Sequence, residues 1–448
     1  MNGSSFNVAI IGAGPAGIFA ARELINNGVS VVLFNRDIKP GGLAEYGIYP
    51  DKIKMKEGLR KQFSSILELP ELTYYGNVSI GTNGDIKIEE IRNMGFDAIL
   101  VTTGAQGTKW LGLKGESLTG VFHAKDIVYH FNKLPPFSTH KLAIGRNVVI
   151  IGVGNVMTDV ARYLIHEKQV DTVTAFARRG PAEVKFTRKE FEYIGSNFDL
   201  DAYKSELNRV SPNMVEVGQD PIQSLNFIMD ALQNNAETKS KTKFRLKFLT
   251  SLRCILGDEN NKVVGIEMEE NLLVFDNGKT IAKGLGNYKL VECDTVIFAI
   301  GDSVDPGFGL PILKNEFVKN PNPRFPIDGT SYECFDPILN APLEDLFLAG
   351  WARNASDGLV GIARKDGINA CQAILRFLST KEGHSRNCCL EVEQSLKSTF
   401  LQYVTKEDVI ILEKEERRIA SELGVEYFKF STNAEMLFAI EQKKIMQP

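Results

Sequence analysis

An apolar run, Val8-Ala9-Ile10-Ile11, breaks at Gly12-Ala13-Gly14-Pro15-Ala16-Gly17 and gives way to a helical pattern of Ile18, Ala21, Leu24 and Ile25 that Asn27-Gly28 ends. Few sequence features restrict a fold so tightly. Gly12 permits a tight turn, Gly14 lets backbone approach a pyrophosphate, and Gly17 lets the helix lie close on the strand. The helix N-terminus, with free N–H groups and about half a positive charge, then faces the diphosphate. A glycine turn alone is weak evidence, but here strand, turn, helix and a second strand, "SVVLF", follow in order. The pattern predicts a dinucleotide-binding β-α-β unit.

The residue that ends the second strand commonly holds the ribose, and a carboxylate there can accept from both hydroxyls. This chain has Asn35. Its amide offers one acceptor and two donors, so a ribose can still be held, about 1 kcal/mol less well. Asp37 is an alternative partner or a plain loop residue.

A second unit begins at "NVVIIGVGNVMTDVARYLI", with Gly152 and Gly154 at the turn and Met157 in place of the third small residue. Val156, Met157, Val160, Ala161, Leu164 and Ile165 form one apolar helix face, so Met157 is expected to pack. The strand "DTVTAF" follows and ends not in an acid but in Arg178-Arg179. Two guanidinium groups at the ribose-reading position attract a 2′-phosphate, which selects NADPH over NADH. Two charge-assisted bonds of roughly 1.5–2 kcal/mol each give a preference on the order of 10²- to 10³-fold. The plain alternative is a solvated pair at a strand end.

Two such units in one chain of 448 residues point to a flavin, FAD, on the first and NADP(H) on the second. "FDAILVTTGA" and "CDTVIFAIGD" are further apolar strands, ending in Gly104 and Gly301, where backbone meets a cofactor or turns sharply. A strand reaching Gly350 precedes a helix that starts near Leu359 to Gly361, and its N-terminus can stabilise negative charge on a reduced flavin. The formal net charge of -4 argues against a general nucleic-acid or anionic-membrane binder. The six cysteines show no C-x-x-C pair and no metal-ligand spacing with the histidines, so a reducing compartment and no metal are expected. The first strand begins within a few residues of Met1, which leaves no room for a signal or transit peptide and predicts a cytoplasmic protein. No apolar run is long enough to span a bilayer.

With these residues in hand, the chain resembles the adrenodoxin reductase and FprA-type ferredoxin–NADP reductase family along nearly its full length. "GLAEYGIYPDKIKMK", "VFHAKDIVYHFNKLP", "GVGNVMTDVAR", "RRGPAEVKFTRKE" and "AGWARNASDGLVG" fall in the order of that family's motifs. The resemblance implies two Rossmann-like domains in a glutathione-reductase-like α/β architecture. It implies FAD contacts from Gly42, Leu43, Gly350, Trp351, Gly358, Leu359 and Val360, beside Gly12, Gly14, Pro15, Ala16, Gly17, Asn35 and Gly104. It sets Gly152, Gly154, Asn155 and Val156 at the NADP diphosphate and Arg178 and Arg179 at its 2′-phosphate. Glu190 and Gly358 come near the same nucleotide. Trp351 would cover the nicotinamide pocket, and Lys52 stands where the best-known members have a histidine; these are the candidate catalytic positions. Asn35 in place of the usual acid, Lys52, and Ala355-Ser356-Asp357 in place of a Gly-Pro-Thr-like stretch mark a divergent branch.

The expected domains are 1–107 and 303–384 for FAD, 108–302 inserted between them for NADP, and a tail, 385–448, of short helices packed on the FAD domain. One tail helix opens with a capping box, Thr432 to Glu435. The implied reaction is hydride transfer from NADPH to FAD, then single electrons to an acidic ferredoxin-type iron–sulfur protein. Docking candidates are Lys185, Arg188 and Lys189, or a strand presenting Lys239, Lys241, Lys243, Arg245 and Lys247 on one face. The latter also fits a solvated edge strand. A glutamate-synthase-small-subunit-like protein and a non-enzymatic NADP(H)-sensing flavoprotein stay open as alternatives. A disulfide reductase does not, because no cysteine pair has the spacing to attack and resolve.

Overall fold

Successive residues of the strand Asn7–Ile11 point to opposite faces of one sheet: Val8 and Ile10 enter one core cluster, Ala9 and Ile11 another. The computed structural model describes residues 6–238, 240–356, 358–381, 388–398 and 401–446. The chain divides into two compact units. The first comprises Met1–Lys109, Asn132–Thr139 and Gly301–Pro448, and the second Trp110–Phe131 and His140–Ile300. The divisions thus fall at 109/110 and 300/301, and the short segment 132–139 returns to the first unit.

The first unit is built on a six-stranded sheet in the order Glu333–Asp336, Ala341–Leu348, Ala98–Val101, Asn7–Ile11, Ser30–Phe34, Leu72–Tyr75. All neighbours are parallel except the first pair. Buried on both faces, the inner strands are continuous apolar runs rather than alternating ones. Asn7–Ile11 pairs with the next strand in sequence on one side and with Ala98–Val101 on the other. That reversal of strand order opens a crevice at the carboxyl end, above Gly12.

The helices Pro15–Asn26 and Val360–Leu378 cover one face and cross closely, since a β-carbon on Gly367 would lie 2.3 Å from the Ala16 carbonyl oxygen. The tail does more than cover. Val409, Leu412, Met436 and Ile440, from the helices Lys406–Leu423 and Asn433–Met446, are core residues on that same face. Cys388, Val392 and Leu396 of the helix Cys388–Ser398 enter the core on the other. The capping box is present: Glu435 N donates to Thr432 Oγ1 at 3.1 Å, and Thr432 N donates to Glu435 Oε2 at 3.0 Å.

The second unit repeats the plan with a five-stranded parallel sheet, in the order Val121–His123, Thr295–Phe298, Asn147–Ile151, Thr172–Phe176, Lys243–Lys247. Here too the order reverses beside the fingerprint strand, at Ile151. A three-stranded antiparallel sheet, Thr250–Gly257, Val263–Asp276 and Lys279–Glu292, completes it. Among the described residues no helix is long and apolar enough to cross a membrane.

Candidate functional site

Each glycine of the first turn has its own physical reason. Gly12 has φ +112°, and a β-carbon there would sit 2.5 Å from the Thr102 carbonyl oxygen. On Gly17 it would sit 2.0 Å from the Gly12 carbonyl oxygen. Both are glycines because protein surrounds them. Gly14 is different: its backbone is extended, and a β-carbon would meet no protein atom within 4 Å. The space over Gly14 is open, and beside it Pro15 begins the helix, followed by the N–H groups of Ala16 and Gly17.

Gly42, with φ +50°, stands against Gly14, and Gly41 N donates to the Ala13 carbonyl at 2.6 Å. Leu43 begins a short helix, Leu43–Tyr46, at this point. Gly104 has φ +71° and faces only the end of the Gln106 side chain, 3.6 Å away.

Asn35 departs from expectation. It is buried, its Oδ1 accepts from Ala13 N at 3.2 Å, and its Nδ2 donates to the carbonyls of Asp37 (2.7 Å) and Lys39 (3.1 Å) and to Tyr74 Oη (3.2 Å). Both amide hydrogens are consumed. Asn35 therefore shapes the loop under the candidate ribose position rather than offering donors to it.

The Gly350 loop is set by a residue that sequence reasoning missed. A β-carbon on Gly350 (φ +64°) would lie 2.9 Å from Ala16 Cβ, so this backbone reaches the fingerprint helix. Asp366 fixes it there. Its Oδ2 accepts from Gly350 N at 2.7 Å and from Arg353 Nε at 3.1 Å, and its Oδ1 accepts from Arg353 Nη2 at 2.5 Å and Tyr332 Oη at 3.3 Å. Trp351 is half-buried within the turn Gly350–Ala352. Gly358 (φ +75°) turns the chain into the helix that begins at Val360, with Leu359 exposed at its N-cap. Ala355 N is held by Glu316, and Ser356 Oγ accepts from Asp302 N at 2.8 Å; Asp357 lies outside the described residues. Lys52 is the N-cap of the helix Ile53–Leu67.

The second turn repeats the arrangement. Gly152 (φ +115°) would place a β-carbon 2.2 Å from the Ala299 carbonyl oxygen, whereas one on Gly154 would meet nothing within 4 Å. Met157 is fully buried, as the packing reading requires, but Val156 is exposed and Thr158 and Arg162 are buried, so the inward face is rotated from the expected one. The loop carrying the arginines folds back onto this turn: Thr187 N donates to Asn155 Oδ1 at 2.9 Å, and Lys185 N donates to the Val153 carbonyl at 3.0 Å. Glu190 lies half-buried on the short helix Arg188–Glu192 that Thr187 caps.

The two arginines are not equivalent. Their carbonyls are pinned alike, by Asn271 Nδ2 and by Leu249 N. Arg179, however, pairs with Glu183 at 2.9 Å, while the exposed Arg178 guanidinium has no partner among the described residues.

The expected basic strand is largely neutralised. Phe244 and Leu246 face the core of Lys243–Lys247, Arg245 pairs with Asp199 at 2.9 Å and Lys247 with Glu206 at 3.1 Å. Lys241 and Lys243 are exposed, and Lys239 lies outside the described residues. In the other candidate patch Lys185 and Lys189 are exposed, and Arg188 pairs with Asp230 at 2.8 Å.

The residues present fit a dinucleotide at each turn, because the one glycine in each whose β-carbon would meet nothing is the one beside a helix N-terminus. Comparison with known proteins accords with this. Residues 6–193 match the family described as pyridine nucleotide-disulphide oxidoreductase. The mitochondrial NADPH:adrenodoxin oxidoreductase of Drosophila melanogaster is 36% identical over 385 residues, 79% of this chain and 77% of that one. The chain belongs to the NADPH:adrenodoxin oxidoreductase family. A second relative, the NADPH-ferredoxin reductase FprA of Mycobacterium leprae, is 27% identical over 404 residues, 83% of this chain and 84% of its own. The solved structure of Mycobacterium tuberculosis FprA in complex with NADPH has this fold, with a TM-score of 0.80 at 24% identity, covering 98% of this chain and all of that one. Thr102, Asp366 and Tyr332 border these turns, and no local motif marks them, because they reach the turns only across the sheet or along the chain's return.

Proposed function

We propose that the protein oxidises NADPH and passes the electrons singly to a ferredoxin-type iron–sulfur protein. The observation that carries this is the presence of two fingerprint turns, each with one open glycine, Gly14 and Gly154, with an Arg178 guanidinium that has no partner among the described residues and no carboxylate at the ribose end of the second unit. FAD, when bound, supplies the exchange between two-electron and one-electron chemistry.

The chain's own part is binding and orientation. The helix N-termini at Pro15 and Asn155 stabilise the two diphosphates, Gly14, Gly42 and Leu43 leave room for the flavin nucleotide, and Gly104, Gly350 and Gly358 to Val360 border it. Arg178 takes the 2′-phosphate, with Arg179 contributing once it leaves Glu183. Trp351 sits on a turn whose Gly350 amide Asp366 holds, and Lys52, at the N-cap of the helix Ile53–Leu67, is the second candidate catalytic position. No strong acid or base is required of these residues.

For the docking surface we favour Lys185, Arg188 and Lys189 over the strand Lys243–Lys247, since Lys185 and Lys189 are exposed and Arg245 and Lys247 are already paired. Six free thiols favour a reducing compartment, and we place the protein in the cytoplasm.

The test is anaerobic. Flavin-loaded protein mixed separately with NADPH and NADH should lose its visible absorbance rapidly with NADPH, and the reduced protein should then reduce an added acidic ferredoxin. Flavin-loaded protein that neither nucleotide bleaches would move the assignment to an NADP(H)-binding flavoprotein without turnover.

A further inference from the structure

We infer that the C-terminal segment is part of the machinery that holds the flavin: Glu416 and Lys429 act through Lys39 and Glu45 as positioning residues for the loop Asn35–Leu43. The inference rests on the assignment of FAD to the first unit. The loop starts at Asn35, whose amide grips the Lys39 carbonyl, and ends at Gly42, which stands against the open Gly14. Its front borders the dinucleotide crevice, and its back rests on charge.

Lys39 is buried and ion-paired with Glu416, with Glu45 at 3.7 Å. Glu45, also buried, accepts Lys429 Nζ at 2.6 Å and a two-pronged bond from Arg60 at 2.7 and 2.8 Å. Tyr427 Oη meets Arg60 at 2.5 Å, and Lys429 Nζ also reaches the carbonyls of Asn132 (3.3 Å) and Glu45 (3.4 Å). The tail thus supplies one partner inside the loop and one just beyond it: Glu416 to Lys39, and Lys429 to Glu45 on the helix that follows.

The coupling to the crevice is short. Glu45 N donates to the Gly42 carbonyl at 3.1 Å, and Glu45 Cβ lies 3.0 Å from where a β-carbon on Gly41 would be. Any tilt of Glu45 moves Gly42 against Gly14. Burial opposes the Glu45 charge, yet Lys429, Lys39 and Arg60 outweigh it and keep the carboxyl well below its usual range. Stability alone does not explain such a set, since apolar side chains of the same volume serve a core as well or better. What the set does supply is one geometry, because Lys39 meets Glu416 and Glu45 only when the loop is in place.

The test compares FAD affinity with fold stability in apoprotein reloaded by titration. Glu416→Gln and Lys429→Met are expected to raise the FAD dissociation constant about tenfold or more and to alter the visible circular dichroism of the bound flavin. A lowered Tm with unchanged FAD affinity and unchanged flavin dichroism would overturn the inference. Should both charge variants fail to fold, Tyr427→Phe removes only the hydroxyl on Arg60; about a threefold loss of FAD affinity is expected, and no loss overturns the proposal. Wild-type protein that takes up no FAD overturns the functional assignment and this inference together. Wild-type and variant proteins that bind FAD equally well overturn this inference alone.

Discussion

A β-carbon on Gly42 would lie 3.1 Å from the Gly14 Cα, so these two residues close on each other backbone to backbone, while the outer side of Gly14 stays open. The openness separates a glycine kept for a ligand from one kept for the fold. Gly14→Ala should leave Tm within a few degrees of wild type and weaken FAD binding at least tenfold, because its methyl group enters only ligand space. Gly17→Ala, whose β-carbon would lie 2.0 Å from the Gly12 carbonyl oxygen, should abolish folded protein. Thermal melts and FAD titration of the two variants decide the matter; equal losses of Tm would refute the distinction.

Arg178 and Arg179 should separate in kinetics as they do in structure. With no partner to leave among the described residues, Arg178 contributes its full charge-assisted bond, so Arg178→Ala should raise KM for NADPH roughly 10- to 30-fold, about 1.5–2 kcal/mol. KM for NADH should not move. Arg179 must first give up Glu183 at 2.9 Å, and Arg179→Ala should cost only about threefold. Equal effects of either substitution on both nucleotides would count against a 2′-phosphate contact.

Asp366 carries a buried cation as well as a backbone amide. Arg353 is 9% exposed, and Asp366→Asn would leave its guanidinium without a countercharge. Loss of about 3–5 kcal/mol in denaturant unfolding is expected, with at least about 1 kcal/mol recovered in the double variant Arg353→Met/Asp366→Asn, which no longer buries a lone charge. A double variant no better than the single one would show that the Gly350 amide, and not the ion pair, is what Asp366 serves.

What was legible in the sequence were features whose cause is local. Gly17 answers to the Gly12 carbonyl five residues before it, and Met157 answers to its own helix; Gly12 and Gly152 were marked by motif spacing alone, since the Thr102 and Ala299 carbonyls that would meet their β-carbons lie far along the chain. The role of Asn35 was not legible, because the groups that consume its amide, Ala13, Lys39 and Tyr74, converge only after three strands have paired. The strand Lys243–Lys247 read as a basic face because its partners, Asp199 and Glu206, lie some 40 residues earlier on other elements. No motif marks Glu416 and Lys429; only the return of that tail to the first sheet buries them beside Lys39 and Glu45.

Lys56 yields the remaining prediction, in the pH dependence of stability. It is 3% exposed, and its Nζ donates to Asn132 Oδ1 at 2.6 Å. Burial, reinforced by the Lys429 charge, pushes its pKa down from 10.5 to about 7. Between those values the unfolded chain holds one proton more than the folded one, so stability must rise with pH, by up to about 1.4 kcal/mol per pH unit. Below about 7 both states are protonated, and the cost of the buried charge is present in full. Lys56→Met should remove this contribution. In urea unfolding at pH 7, 8, 9 and 10, the variant should gain most over wild type at pH 7, and the gap should close steadily toward pH 10. Asn132 loses a donor in the variant, a cost of about 1 kcal/mol that is constant with pH, so the slope and not the offset is diagnostic. Lys429, pushed down to about 8 chiefly by burial, keeps a slope of the same sign in both proteins. Parallel pH profiles for wild type and variant would mean that Lys56 stays charged in the fold, held by contacts stronger than the one to Asn132.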